Sequence, residues 1–325
     1  MRSVYRYIAD LNHAVGSNWN RFWFQPDDVV GICLLRLALG LITVWWLLSF
    51  GFDLALWFGP NSIANSENIQ PLLAHIGSPP EYHFSIWNFQ HSNTSMWAVH
   101  VASVIVVIAY AAGLLTPLTS WLTLLVTLSY IQHNPFMNGR FEATLVWALA
   151  YVAIAPNGRC LSLDHIISPR KQDRPHPFAP PAVRATICQR LLQVHLVAIY
   201  LYSACSKLLG ETWWSGQAVW WQLAQVNSAL VDLRWLAEPK YHALVNAWTL
   251  GIVLFEFAFA VLVWPKITRP LFLCLSLVHW SVILLITGDV GFCVLMMVLN
   301  LAFVRPSEIR NWYRGHQTDG SMKLG

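Results

Sequence analysis

Lys207 is the side chain whose setting most directly suggests chemistry. It follows the largely apolar segment 187–206 and precedes two leucines and a glycine, which places its amine at the end of a predicted membrane helix. A lysine at such a rim usually extends its charged head into water, a behaviour called snorkelling. Beneath a layer of aromatic side chains, desolvation would instead disfavour the ammonium and leave a neutral base near pH 7. Glu211, four residues on, would oppose this by pairing with the ammonium, so the residues alone leave both interpretations open.

Two further ionisable side chains are isolated in apolar sequence. Arg36 lies two turns into the first predicted membrane helix, and Glu256 lies midway along the sixth. Charges inside a bilayer are costly and are often neutralised by pairing between helices. We therefore predict an ion pair between Arg36 and Glu256 with a structural role.

The remaining candidates are a carboxylate and three histidines. Glu142 begins the fourth predicted helix, where a carboxylate complements the helix dipole, so capping and a functional role are equally open. His279 lies midway along the seventh helix, where a hydrogen-bonded core histidine is more common than a proton carrier. The same expectation holds for His100 and His195.

The six cysteines have neither CxxC spacing nor a Cys/His pattern, so we predict packing residues and no metal site.

The chain that carries these side chains is strongly apolar. Of its 325 residues, 56% are hydrophobic, only 11% are charged and 18 are tryptophan. A soluble domain needs a more charged and polar surface than this composition can supply. Several nearly uncharged stretches are long enough to cross roughly 30 Å of hydrocarbon. The composition therefore predicts an integral membrane protein.

The hydrophobic pattern predicts an all-α fold, a polytopic integral membrane protein with about eight transmembrane helices. The predicted helices cover residues 29–50, 96–115, 118–131, 141–155, 187–206, 243–263, 271–287 and 290–304. The third, fourth, seventh and eighth are short, which leaves six spans with re-entrant pieces as an alternative. Residues 1–25 have the pattern of an interfacial amphipathic segment, 26–305 form the transmembrane domain, and 306–325 form a cytoplasmic tail.

The distribution of positive charge predicts the orientation. Fifteen of the 20 Lys and Arg residues fall on the side of both termini, four fall on the opposite side, and Arg36 lies within the first helix. Because Lys and Arg remain in cytoplasmic loops, we predict N-in/C-in topology, in the cell inner membrane. Topology also accounts for the net charge of +4, so no nucleic-acid partner is expected. The basic, proline-rich loop 156–183 is interpreted as a solvated linker, with attraction to anionic membrane lipid as the alternative.

A motif around Lys207 resembles a known family. The run Ser206-Lys207-Leu208-Leu209-Gly210, followed by Trp213, Gly216, Ala218 and Val219, is similar to the signature of the horizontally transferred transmembrane family, relatives of the vitamin K-dependent gamma-carboxylase. The similarity extends over residues 21–305. Its other pieces are Arg21-Phe22, Asp27, His133-Asn134-Pro135, Asn138-Gly139, Glu256, His279 and Phe292.

The resemblance implies a role for each matching residue. In the carboxylase, the lysine that matches Lys207 is the base that deprotonates vitamin K hydroquinone, whose reaction with oxygen then generates the base that removes a glutamate γ-proton before carbon dioxide is added. The resemblance therefore implies Lys207, His133 and His279 as catalytic residues, with quinol-binding residues Asn134, Asn138, Trp213 and Glu256. The predicted topology places Lys207, His133 and Asn134 at the outer ends of helices, which permits one site. The chain ends soon after the eighth helix, without the carboxylase's large lumenal domain, so glutamate carboxylation does not follow.

The leading hypothesis from the sequence is a quinol-dependent membrane enzyme that resembles the carboxylase core, with Lys207 as the base in an outward-facing pocket. If the reaction is like that of the carboxylase, the enzyme is a lyase. A second hypothesis is a non-enzymatic subunit that binds quinone or lipid and docks a protein partner at its cytoplasmic loop. The third is a transporter, in which Arg36, Glu142, Glu256 and His279 would line one polar path.

Overall fold

The computed structural model describes residues 2–62, 85–89, 92–133, 138–167, 180–224 and 229–305, together with positions 71, 75 and 308. Within these ranges the fold is helical, and its extended pairing is an isolated bridge between Asp27 and Ala182. The chain divides into two compact units. The first unit comprises Met1–Arg190 with Arg305–Gly325, and the second comprises Leu191–Val304.

The principal helices match the predicted ones to within a few residues. In chain order they are α1 (Arg2–Phe24), α2 (Val30–Ser49), α3 (Leu54–Phe58), α4 (Asn93–Ala112), α5 (Thr116–His133), α6 (Arg140–Ile154), α7 (Leu163–Ile167), α8 (Val183–Leu208), α9 (Glu211–Trp214), α10 (Ala218–Ala224), α11 (His242–Leu262), α12 (Arg269–Thr287) and α13 (Val290–Leu299). Helix α13 continues as a 3₁₀ turn, Asn300–Phe303. The all-α prediction is confirmed.

Five helical segments in the described part of the chain are long and apolar enough to cross a membrane. They are Val30–Phe52, Asn93–Ala112, Val183–Leu208, Pro239–Leu262 and Arg269–Thr287. This set indicates a membrane protein. The other three predicted spans are α5, α6 and α13. Helix α5 is less apolar because serine and threonine recur along it, whereas α6 and α13 have only 15 and 10 residues. The count of about eight spans stays a prediction.

The first unit is built around the contact between α2 and α4. A side chain at Gly40 would collide with the backbone of Ala111, since an ideal Cβ there would lie 2.7 Å from the Ala111 Cα. Such close approach of two helices requires a residue with no side chain. Helix α4 then ends at Gly113, whose φ of +76° is a left-handed cap conformation.

Arg36 satisfies the end of α4 rather than pairing with Glu256, so the predicted Arg36–Glu256 ion pair is wrong. Its guanidinium donates hydrogen bonds to the carbonyls of Tyr110 (2.7 Å), Ala111 (3.1 Å) and Leu161. The last carbonyls of a helix have no partner within the helix and carry the negative end of its dipole. The planar guanidinium has several N–H donors, and the three carbonyls together engage more of them than the two oxygens of a single carboxylate could.

The second unit packs its short helices onto its long ones. Buried Val219 and Leu223 of α10 lie against Val245 and Ile252 of α11 and Ile286 of α12. The turn before α10 depends on Gly216, which has a φ of +74° and whose Cβ, if present, would lie 2.9 Å from the Asn246 side chain. Both constraints favour glycine at this motif position. Helix α10 therefore packs against α11 and the last turn of α12.

Candidate functional site

A cluster of charged and polar side chains in the second unit is centred on Lys207 and Glu256. Lys207 lies in the last turn of α8, and Glu256 lies in the middle of α11. The Lys207 Nζ is 2.5 Å from Glu256 Oε1 and 2.7 Å from Oε2. The lysine side chain is 17% exposed and the glutamate side chain 2% exposed. The amine is therefore directed into the helix bundle and not extended into water, which rules out simple snorkelling.

Ser203 completes the coordination of the ammonium. Its Oγ accepts a hydrogen bond from Lys207 Nζ at 2.6 Å and donates to Glu256 Oε1 at 3.1 Å. Ser203 stands four residues before Lys207, so one helix face presents both side chains. An ammonium has three hydrogens, and the two carboxylate oxygens and the serine oxygen accept all three.

An aromatic side chain lies beside the ammonium of this ion pair. The Lys207 Nζ lies 5.1 Å from the centre of the Trp213 ring, within cation–π range. Trp213 follows α8 by one short turn and also packs against the apolar core of the second unit. His279 on α12 lies near Lys207. The His279 ring is 4.9 Å from Phe255 and 5.0 Å from Trp280.

A second polar cluster lies along the same helices. Tyr200 Oη is 2.6 Å from Ser276 Oγ and accepts a hydrogen bond from Trp280 Nε1 at 2.5 Å. Asn300 Nδ2 donates to the same Ser276 oxygen at 2.8 Å. Tyr200 also stacks on Phe259, with ring centres 4.0 Å apart. These bonds connect α8, α12 and the 3₁₀ turn that follows α13.

The other predicted site residues belong to the first unit. The His133 ring stacks on Phe58 with centres 5.4 Å apart and lies 6.1 Å from the Trp87 ring. Its buried Nε2 has no hydrogen-bond partner among the residues that the structure describes. Asn138 Nδ2 donates to the Ile131 carbonyl at 3.2 Å, at an exposed position. Asn134 lies outside the described residues. Of the predicted set, the second unit thus brings together Lys207, Glu256, Trp213 and His279.

Two candidates have ordinary structural partners. Glu142 Oε2 accepts a hydrogen bond from the Gly139 amide at 2.8 Å, which confirms the capping interpretation at the start of α6. His100 Nδ1 is 2.8 Å from Tyr130 Oη, which confirms a hydrogen-bonded core histidine. Of the six cysteines, Cys33, Cys160, Cys188 and Cys293 are buried whereas Cys205 and Cys274 are exposed, so the prediction of packing residues holds only for the first four.

Sequence reasoning missed Ser203 and the partnership of Lys207 with Glu256. The spacing of Ser203 and Lys207 on one helix face was a usable signal. No group of three His, Cys, Asp or Glu side chains suited to a metal ion occurs among the residues that the structure describes. Comparison with protein-family models, curated proteins and solved structures gives no match for this chain.

Proposed function

We propose that the second unit is a proton-transfer site for a lipid-soluble quinol, with Lys207 as the base and Glu256 as its proton partner. The observation that carries this proposal is the contact of Lys207 Nζ with both oxygens of Glu256, in a setting where the two side chains are 17% and 2% exposed. The resemblance of residues 206–219 to the carboxylase signature supports the same role.

Saturation of the ammonium argues against an anion-binding lysine. All three hydrogens of Nζ already have protein acceptors, and Glu256 compensates the positive charge. A phosphate or carboxylate ligand would have to displace a buried carboxylate from its cation, which is costly. A neutral ligand with a weakly acidic hydroxyl meets no such barrier.

The ion pair offers a route to a neutral amine. Moving one proton from Lys207 Nζ to a Glu256 oxygen converts two charged groups into two neutral ones without changing the net charge. Burial disfavours the charged forms, so the two arrangements are closer in free energy here than in water. After rotation about the Cε–Nζ bond, the lone pair of the resulting amine can accept a proton from a ligand hydroxyl, while Glu256 retains the first proton.

The residues present fit a quinol. Trp213 supplies an aromatic face beside Nζ, and the rings of His279 and Phe255, the residue before Glu256, lie 4.9 Å apart. Planar aromatic ligands pack well against such surfaces. A bound quinol would supply an acidic hydroxyl and two-electron chemistry with oxygen, whereas Lys207 and Glu256 would hold and move the proton.

We also propose that the chain spans the cell inner membrane with both termini in the cytoplasm. The support is the concentration of Lys and Arg on the side of the termini, together with five segments capable of crossing a bilayer. In this orientation Lys207, in the last turn of α8, faces the outer side.

The test is oxygen consumption by the purified protein in lipid vesicles that contain a naphthohydroquinone. Lys207→Arg should abolish quinol-dependent oxygen consumption, because an arginine cannot lose its proton at physiological pH. The arginine can still bind Glu256 through two hydrogen bonds, so folding should be retained. Lys240→Arg is the matched control, since Lys240 forms an exposed pair with Glu238 at 2.8 Å.

Oxygen consumption by Lys207→Arg at the wild-type rate would refute the role of Lys207 as the base. Absence of consumption in the wild-type protein, combined with quinone binding that depends on Lys207, would favour the non-enzymatic quinone-binding subunit instead.

A further inference from the structure

Ser203 differs from its neighbour Ser206 in what its hydroxyl contacts. Serine in a helix commonly bonds to a carbonyl one turn earlier, and Ser206 Oγ does so with the Ser203 carbonyl at 2.9 Å. The half-buried Ser203 hydroxyl instead reaches across to α11. It accepts from Lys207 Nζ at 2.6 Å and donates to Glu256 Oε1 at 3.1 Å. Its single hydrogen is directed at Glu256, and one of its two lone pairs is directed at Lys207.

Each of these hydrogen bonds favours a charged group. A donor to a carboxylate stabilises the deprotonated acid, and an acceptor for an ammonium stabilises the protonated amine. The hydroxyl therefore opposes the transfer of the proton from Lys207 to Glu256. Its geometry also keeps Nζ and Oε1 together, because both atoms share one hydroxyl.

We infer that Ser203 is a positioning residue that holds the Lys207–Glu256 couple in its charged form and so sets how readily Lys207 becomes a neutral base. This inference deepens the proposed function and rests on it for its catalytic meaning. Among the described residues, two further titratable groups lie close to the couple, His279 on α12 near Lys207 and Tyr200 on α8 near Glu256. Neither of them bonds to both members of the couple.

The test measures the protonation of Glu256 directly and needs no quinol. Infrared spectroscopy of the full-length protein in vesicles would follow the carboxylic acid C=O stretch against pH, with the Glu256→Gln protein identifying the band. In Ser203→Ala the protonation midpoint should move to higher pH by roughly one to two pH units, since hydrogen bonds to charged groups are strong. Ser203→Thr keeps the hydroxyl and should retain the wild-type midpoint.

Ser206→Ala is the matched control on the same helix, and its midpoint should equal that of the wild type. If Ser203→Ala does not fold, Ser203→Cys replaces it, because a thiol is a weaker donor and should give a smaller shift in the same direction. An unchanged midpoint in the folded Ala or Cys protein, or an equal shift in Ser203→Thr, would overturn the inference.

Oxygen consumption separates this inference from the proposed function. A shifted midpoint in a protein that consumes no oxygen would preserve the role of Ser203 and remove the quinol proposal. Quinol-dependent oxygen consumption, together with an unshifted midpoint in Ser203→Ala, would support the quinol proposal and remove the role of Ser203.

Discussion

Lys207 Nζ in the last turn of α8 lies within hydrogen-bond distance of both carboxylate oxygens of Glu256 in the middle of α11. The two residues are 49 positions apart in sequence and lie on different helices. Their contact therefore constrains how α8 and α11 are rotated and how deeply each lies against the other. It also places an amine and a carboxylate, the two groups needed to share a proton, at one point of the second unit.

Breaking this pair should destabilise the protein. Lys207→Met or Glu256→Gln alone should lower the free energy of unfolding by about 3–5 kcal/mol, because each leaves a buried polar partner uncompensated. The double variant should lose clearly less than the sum of the two single variants. Thermal unfolding in detergent measures all three proteins. The exposed pair Lys240–Glu238 is the control and should couple weakly; additive losses at Lys207 and Glu256 would contradict the contact.

Arg36→Lys should be strongly destabilising although it conserves the charge. One ammonium cannot reproduce the planar fork that serves the carbonyls of Tyr110, Ala111 and Leu161. We expect a loss of about 2–4 kcal/mol, as for one or two unsatisfied buried groups. Arg159→Lys changes an exposed arginine and should be nearly neutral. Equal unfolding temperatures for the two variants in the same detergent would argue against the carbonyl-capping role of Arg36.

Asp164 should make stability pH-dependent through its cap on α5. Its carboxylate accepts hydrogen bonds from the backbone amides of Leu115 and Thr116, both at 2.7 Å, and from the Thr116 hydroxyl at 2.9 Å. Burial by itself would raise the pKa of Asp164, but these hydrogen bonds outweigh it and the pKa is lowered. Because the pKa is lower in the folded state, the ionised carboxylate stabilises the fold. This stabilisation is complete above the usual aspartate pKa, about 3.9, and it is lost as the pH falls through the folded-state pKa.

The measurement is the unfolding temperature of wild type and Asp164→Asn between neutral pH and about pH 3. The variant should be less stable at neutral pH, and the difference should shrink on acidification. Asp53→Asn is the control, since that exposed side chain makes no capping hydrogen bond. A difference between wild type and Asp164→Asn that stays constant with pH would exclude the carboxylate as its origin.

Reporter fusions should separate the two sides of the membrane. A fusion within residues 51–95, a segment without Lys or Arg, should read as external, and fusions within 156–183 or after Arg305 should read as cytoplasmic. A paired reporter that is active only on the opposite side provides the control at each position. A cytoplasmic signal from the segment 51–95 would reject the proposed orientation.

The sequence by itself determined the helices of this protein. Long apolar runs bounded by glycine, proline and charged residues indicate where helices begin and end, since these are local properties of the chain. The main helices were therefore predicted to within a few residues, and Lys207 was correctly placed at the end of its helix. Glu256 and His279 were also predicted as site residues together with Lys207.

Only the tertiary structure decided which charges meet. Arg36 and Glu256 were equally isolated in sequence, and an ion pair between them was the simplest way to neutralise both. The pairing depends on how each helix is rotated and how deeply it lies, and these are set by packing, such as the approach of Gly40 to Ala111. That packing directs Arg36 to the carbonyl end of α4 and Glu256 to Lys207 and Ser203. An apolar helix pattern gives the faces available for contact, but the partner on the other helix is fixed only when the helices pack.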